Sequence, residues 1–213
     1  MGVGGSWVGV RGLAKDTVWE TFGLRATGAP ATDDAPCGVA GGALGSGWCV
    51  AIRDSSETYP LFEEEDIAQA SRGAEVVYCT FEEHAMGASA EYWRDGVRVW
   101  SVEREMGGPY APLNVSGEPP PSYTTRRKEL FDRQEAEGGA KAGVDYIYDL
   151  PHDLAEELTG FRYEQSVERL ALEVLAEVRA AAPAEQAAAA PAPQAAAAPA
   201  AQPPARKPWW KVW

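Results

Sequence analysis

Two short stretches hold both histidines of the chain, Glu82-Glu83-His84 and Asp149-Leu150-Pro151-His152-Asp153, and in each the imidazole sits beside carboxylates. If the ends of the two elements met in space, His84, His152 and Glu82 would supply a two-histidine, one-carboxylate set for a divalent metal. Asp149 would stand by as a further acid or base. Against this stands the composition: 32 Asp and Glu put a carboxylate beside almost any residue. The plainer reading is a solvated strand end, with Asp153 capping a helix. An acid/base or metal-dependent enzyme built on Glu82, His84, Asp149 and His152 is therefore the alternative to a non-enzymatic protein, and no metal or cofactor is expected.

Other chemical motifs lack their context. The glycine-rich run from Gly38 to Gly47 contains no Lys and precedes a strand rather than opening a helix, so it is not a phosphate loop. No G-x-S-x-G elbow occurs. Cys37, Cys49 and Cys79 are an odd number at wide spacing without a C-x-x-C pair, which argues against a disulfide framework and a zinc cluster. They read as reduced cytoplasmic thiols, Cys79 as an inert one between Val77 and Phe81. Glu91, Trp93, Arg98 and Trp100 would form a recognition cluster if they shared a face, although Trp in mid-hairpin is more often core.

The least random segment is the last one. Residues 181 to 205 comprise 15 Ala, 6 Pro, 3 Gln and 1 Glu, a composition that cannot build a core and that prolines keep from forming a long helix. It reads as a disordered linker. Beyond it, Arg206, Lys207, Pro208, Trp209, Trp210, Lys211, Val212 and Trp213 pack three indoles and three cations into eight residues. Each Trp buries about 150 to 250 Å² when received by a pocket, so aromatic burial outweighs charge in any binding. The expected role is a short linear motif that docks on a larger protein, with Trp209, Trp210 and Trp213 as anchors and Arg206, Lys207 and Lys211 as rim charges. Folding back on the body and weak contact with a membrane surface are the other readings.

Net charge is −13: residues 1 to 180 carry 16 basic against 31 acidic side chains, and residues 181 to 213 carry 3 against 1. A body this acidic repels a phosphate backbone, which disfavours nucleic acid. Neither a signal-peptide pattern nor a run of about 20 apolar residues is present, so the expected place is the cytoplasm and no transmembrane segment is expected. The whole reads as a small acidic adaptor, inhibitor or regulatory protein with a globular domain over 1–180, a linker over 181–205 and a motif over 206–213.

The elements that would position these residues follow from periodicity. Ser6 to Arg11 and Trp48 to Arg53 alternate as strands, with Trp48, Val50 and Ile52 on one face. Lys15 to Leu24 and Glu64 to Ser71 read as short helices, and residues 25 to 46 as a long loop. Glu75 to Glu103 is the most strand-like block. Its Asp95-Gly96 pair predicts a two-residue type I′ turn, placing Arg94 opposite Val97, Trp93 opposite Arg98, Tyr92 opposite Val99 and Glu91 opposite Trp100. Tyr123 to Glu137 reads as a charged helix and Val144 to Leu150 as a last strand. Helices ending at Gly160 and spanning the apolar stripe from Val167 to Val178 complete the chain. Mixed elements joined by a hairpin predict an α+β fold with a mainly antiparallel sheet.

Overall fold

The computed structural model describes residues 4–33, 38–54 and 62–178. Cys37, the linker 181–205 and the motif 206–213 lie outside the described residues. Within them the chain runs β1 (Gly4–Arg11), α1 (Lys15–Thr21), β2 (Leu24–Pro30), β3 (Val39–Ala43), β4 (Cys49–Asp54), α2 (Glu64–Ala70), β5 (Glu75–Glu82), β6 (Gly87–Arg94), β7 (Val97–Arg104), β8 (Leu113–Gly117), α3 (Ser122–Ala136), α4 (Leu150–Thr159) and β9 (Glu173–Glu177). The strands form one sheet in the order β2-β9-β3-β4-β1-β5-β6-β7-β8, and every pairing is antiparallel. The fold is α+β, as the hairpin signal and mixed periodicities predict.

Both faces of the sheet are packed. Val8, Val10, Ala51, Val76 and Tyr78 join Val18 and Trp19 of α1 and Ile67 of α2 in one core; Trp7, Val50, Val77, Cys79 and Phe81 join Leu154 and Ala155 of α4 in the other. The alternation read from the Trp48 to Arg53 segment is thus the alternation observed in β4, and β5 alternates in the same way. No helix among the described residues is long and apolar enough to cross a membrane.

Four local expectations are corrected. Residues 25 to 46 contain β2 and β3. They show no strand signal because β3 (VAGGA) has surrendered its side chains to its neighbours: a Cβ on Gly41 would lie 2.6 Å from Leu175 Cδ1, 2.7 Å from the Val50 carbonyl and 3.0 Å from the Trp19 ring. The Val167 to Val178 stripe ends in β9, not a helix, because the gap between β2 and β3 takes an extended segment with Leu175 in one core and Leu172 in the other. The expected strand Val144 to Leu150 is a 3-10 turn over Tyr146–Asp149 that feeds α4; the Asp145 side chain caps it by accepting from the Ile147 and Tyr148 N–H groups.

The fourth correction concerns the hairpin. Asp95 and Gly96 both have positive φ (53° and 80°), as a type I′ turn requires, and the Arg94–Val97 and Trp93–Arg98 pairs are those predicted. The next pair is Tyr92–Trp100, not Tyr92–Val99. Val99 is therefore the extra residue of a β-bulge, and everything beyond it on β7 moves by one position and changes face. Trp93 enters the core beneath α1 and α2, and Trp100 the core beneath α4. Glu91, Trp93, Arg98 and Trp100 do not share a face; Trp93 and Arg98 keep their cation–π contact at 5.6 Å.

β8 accommodates the bulge with Gly117, whose φ is +71° and whose Cβ, if present, would lie 2.0 Å from the Val99 carbonyl oxygen. Substitution Gly117→Ala is expected to destabilise the fold by about 1–3 kcal/mol, lowering the thermal midpoint by roughly 2–4 °C per kcal/mol. Val99→Ala, a comparable change at an exposed position, should leave it nearly unchanged. Calorimetry on the two variants makes the comparison.

Candidate functional site

Backbone alternation decides what becomes of the predicted constellation. On β5 and its continuation, Val77, Cys79, Phe81 and Glu83 point toward α4, while Val76, Tyr78, Thr80 and Glu82 point to the other face. His152 lies on α4, so Glu82 and His152 are on opposite sides of the sheet. His84 is exposed in the turn between β5 and β6, and its backbone N–H donates to Glu82 Oε1 at 3.0 Å. No contact joins Glu82 or His84 to Asp149 or His152 among the described residues, and no group of three or more His, Cys, Asp or Glu there is placed to hold a metal ion.

On the α4 side of the sheet the acid is Glu83, which reaches the surroundings of His152 through Tyr163. Glu83 Oε1 accepts from the Tyr163 hydroxyl at 3.1 Å; the Tyr163 ring stacks on Phe81 at 4.0 Å and lies 5.0 Å from the His152 ring, with Tyr148 on the other flank at 5.3 Å. The imidazole is 2% exposed, and neither ring nitrogen has a hydrogen-bond partner. Burial, helped by the nearby Arg162 guanidinium, lowers its pKa to about 3. Burial likewise raises Tyr148 to about 12 and Tyr163 further still. His152 is thus a neutral core ring enclosed by two un-ionised phenols.

Asp149 and Asp153 belong to a different assembly. Arg162 donates to Asp149 at 2.6 Å, Asp153 at 2.7 Å, Glu164 at 3.1 Å and Glu156 at 3.4 Å, tying the loop after α4 back to the helix. Gly160, in the left-handed conformation (φ 73°), makes that reversal possible, as its place after the helix predicts. Glu82, for its part, faces a solvent-open cleft of about 320 Å³ with the hydroxyls of Thr80, Ser89 and Ser101 and the carboxylates of Glu91, Glu103 and Glu105. Among the described residues Cys49 and Cys79 are free and buried, and desolvation raises both pKa values.

A feature not predicted from sequence is a groove of about 460 Å³ between the 105–112 loop and α3, lined by Tyr110, Pro112, Leu113, Tyr123, Arg127 and Phe131 among others. The available signal was the i, i+4, i+8 spacing of Tyr123, Arg127 and Phe131, which sets all three on one face of a helix. The loop wall is held from below. Arg104, fully buried, pairs with Asp145 and donates to the carbonyls of Met86, Glu105, Gly107 and Gly108.

Removing one partner of the Arg104–Asp145 pair leaves an uncompensated charge in the interior, so Asp145→Ala is expected to cost about 3–5 kcal/mol in denaturant unfolding. For His152, the unfolded chain takes up a proton near pH 6.5 that the fold refuses until about pH 3. Stability is therefore fully present above pH 6.5 and falls by about 1.4 kcal/mol per pH unit below it. Between about pH 7 and pH 5 the loss is about 2 kcal/mol, and His152→Phe, which keeps a ring between the tyrosines, should flatten that slope in urea titrations. Compared with known proteins, the chain matches no family model, no curated protein and no solved structure.

Proposed function

We propose that the chain is a non-enzymatic acidic adaptor, inhibitor or regulatory protein that docks on a larger protein partner through Arg206, Lys207, Trp209, Trp210, Lys211 and Trp213, carried on the Ala/Pro linker. The observation that carries this reading is the contrast in how tryptophan is used. The five indoles of Trp7, Trp19, Trp48, Trp93 and Trp100 are all core residues, none more than 4% exposed. The remaining three of the chain's eight stand in an eight-residue segment next to three cations, after 25 residues of Ala, Pro, Gln and Glu. Indole is costly to leave in water, and a partner pocket relieves that cost.

The acidic body supports the reading as a second surface. With Glu82, Glu91, Glu103 and Glu105 around one open cleft, it favours a partner with basic surface and disfavours nucleic acid. The sealed environment of His152 and its separation from Glu82 leave the acid/base alternative without an assembled set of groups.

The test is a pull-down from native extract with the full chain and with a chain ending at Ala205, at low and high salt, followed by titration of the captured protein with the synthetic peptide of residues 206–213. Capture by the full chain alone, persisting in high salt, is the expected result because burial of rings is weakly screened. Identical captures with both chains would overturn the docking role. Capture abolished by moderate salt would overturn the assignment of the indoles as anchors.

A further inference from the structure

We propose that the groove between the 105–112 loop and α3 docks an extended, proline-rich peptide segment that carries an acidic residue, with Tyr110, Tyr123 and Phe131 receiving the pyrrolidine rings and Arg127 the carboxylate. This surface lies on the folded body and is independent of the terminal motif.

Three observations carry the assignment. The first is the lining. Tyr110 is 44% exposed although its ring lies 6.3 Å from Phe131, and Tyr123 is half-buried against the α4-side core, so aromatic faces are presented to solvent from both walls. Polyproline II segments fill such grooves because their rings are flat and their backbone is already ordered.

The second is charge. Arg127 sits over the Phe131 ring at 4.7 Å and has no carboxylate partner among the described residues, whereas Arg126 pairs with Glu129 and Asp153 and Lys128 with Asp132. Arg127 is thus a guanidinium without a carboxylate partner, held above a ring within the groove itself, and it attracts a carboxylate there although residues 1 to 180 carry 15 more acids than bases.

The third is preorganisation. The loop that carries Tyr110 and Pro112 closes on itself through Glu105 N–H to Pro112 carbonyl (3.0 Å) and Ala111 N–H to Gly108 carbonyl (2.8 Å), and buried Arg104 grips the carbonyls of Gly107 and Gly108. The opposite wall is a 15-residue helix anchored by buried Gln134, whose amide donates to the Gly139 and Val144 carbonyls and accepts from Tyr146 N–H. Two rigid walls spare the ligand the cost of ordering its site.

The experiment is fluorescence anisotropy with the full-length chain and two labelled probes, Ala-Pro-Pro-Glu-Leu-Pro-Pro-Ala and the same peptide with Lys in place of Glu. The acidic probe should bind at least about tenfold more tightly than the basic one, as one charge-assisted contact provides. Tyr110→Ala and Arg127→Gln should each weaken the acidic probe by about tenfold, and Arg127→Glu should reverse the preference between probes. Both positions are exposed, and an unchanged unfolding midpoint confirms the fold of each variant. Equal binding of the two probes, a preference that survives Arg127→Glu, or no binding of the acidic probe at millimolar concentration would overturn the proposal.

Discussion

A single extra residue in β7 governs how the two cores are filled. Because Val99 bulges out of the β6–β7 ladder, Trp93 and Trp100, which a regular hairpin would hold on one face, are divided between the two sides of the sheet. Each side thereby gains an indole where a sheet thick with Gly and Ala has little volume of its own. The bulge also imposes conditions on its neighbours. The strand beyond it must approach the Val99 carbonyl without a Cβ, which Gly117 allows, and the hairpin tip must seat against α2, where the Asp95 and Gly96 N–H groups donate to the Ser71 carbonyl and hydroxyl.

The same strand ends in the residue that organises the opposite corner. Arg104 follows Trp100 and Val102 on the α4 side of the sheet, and from there its guanidinium collects four backbone carbonyls and Asp145. One buried charge thus fixes a glycine-rich loop, the turn before α4 and the end of β7 relative to one another. Gly107, Gly108 and Pro109 bring little side chain with which to fix the loop. Charge-assisted hydrogen bonds in a buried site make up for it. The aromatic groove is a by-product of that fixation, since Tyr110 and Pro112 stand where the clamp leaves them.

Much of this was legible in the sequence and some was not, for reasons that differ by element. β4, β5 and β6 declare themselves because β-branched and aromatic residues alternate with small or polar ones, and the Asp95-Gly96 turn carries its own conformational requirement. β3 is silent because its glycines are demanded by Trp19, Val50 and Leu175, residues far away in sequence. β9 is misleading because Val174 and Leu175 continue a helical period begun at Val167 and Leu170, while the vacancy that they fill is a strand's. For the site, the carboxylate-flanked histidines were visible as residue types, yet the period-two geometry that turns Glu83 toward Tyr163 and Glu82 away becomes decisive only once α4 is known to lie on that face. The groove depends on Arg104 reaching Asp145 across 41 residues, and no local pattern encodes that.

The order of strands carries a consequence for how the protein is made. β2 is synthesised early, but its one ladder partner is β9, the last strand described, so about 150 residues separate the two sides of that pairing. As the chain emerges from a ribosome, β1, β4, β5, β6, β7 and β8 can close into a sheet in turn, whereas β2 and the outer side of β3 must wait as unpaired edges until Glu173 to Glu177 arrives between them. Those glycine- and alanine-rich strands offer few hydrophobic side chains to a wrong partner during the delay, and β2 ends in proline. The side-chain poverty that hides these strands from sequence patterns is also what makes a long wait tolerable.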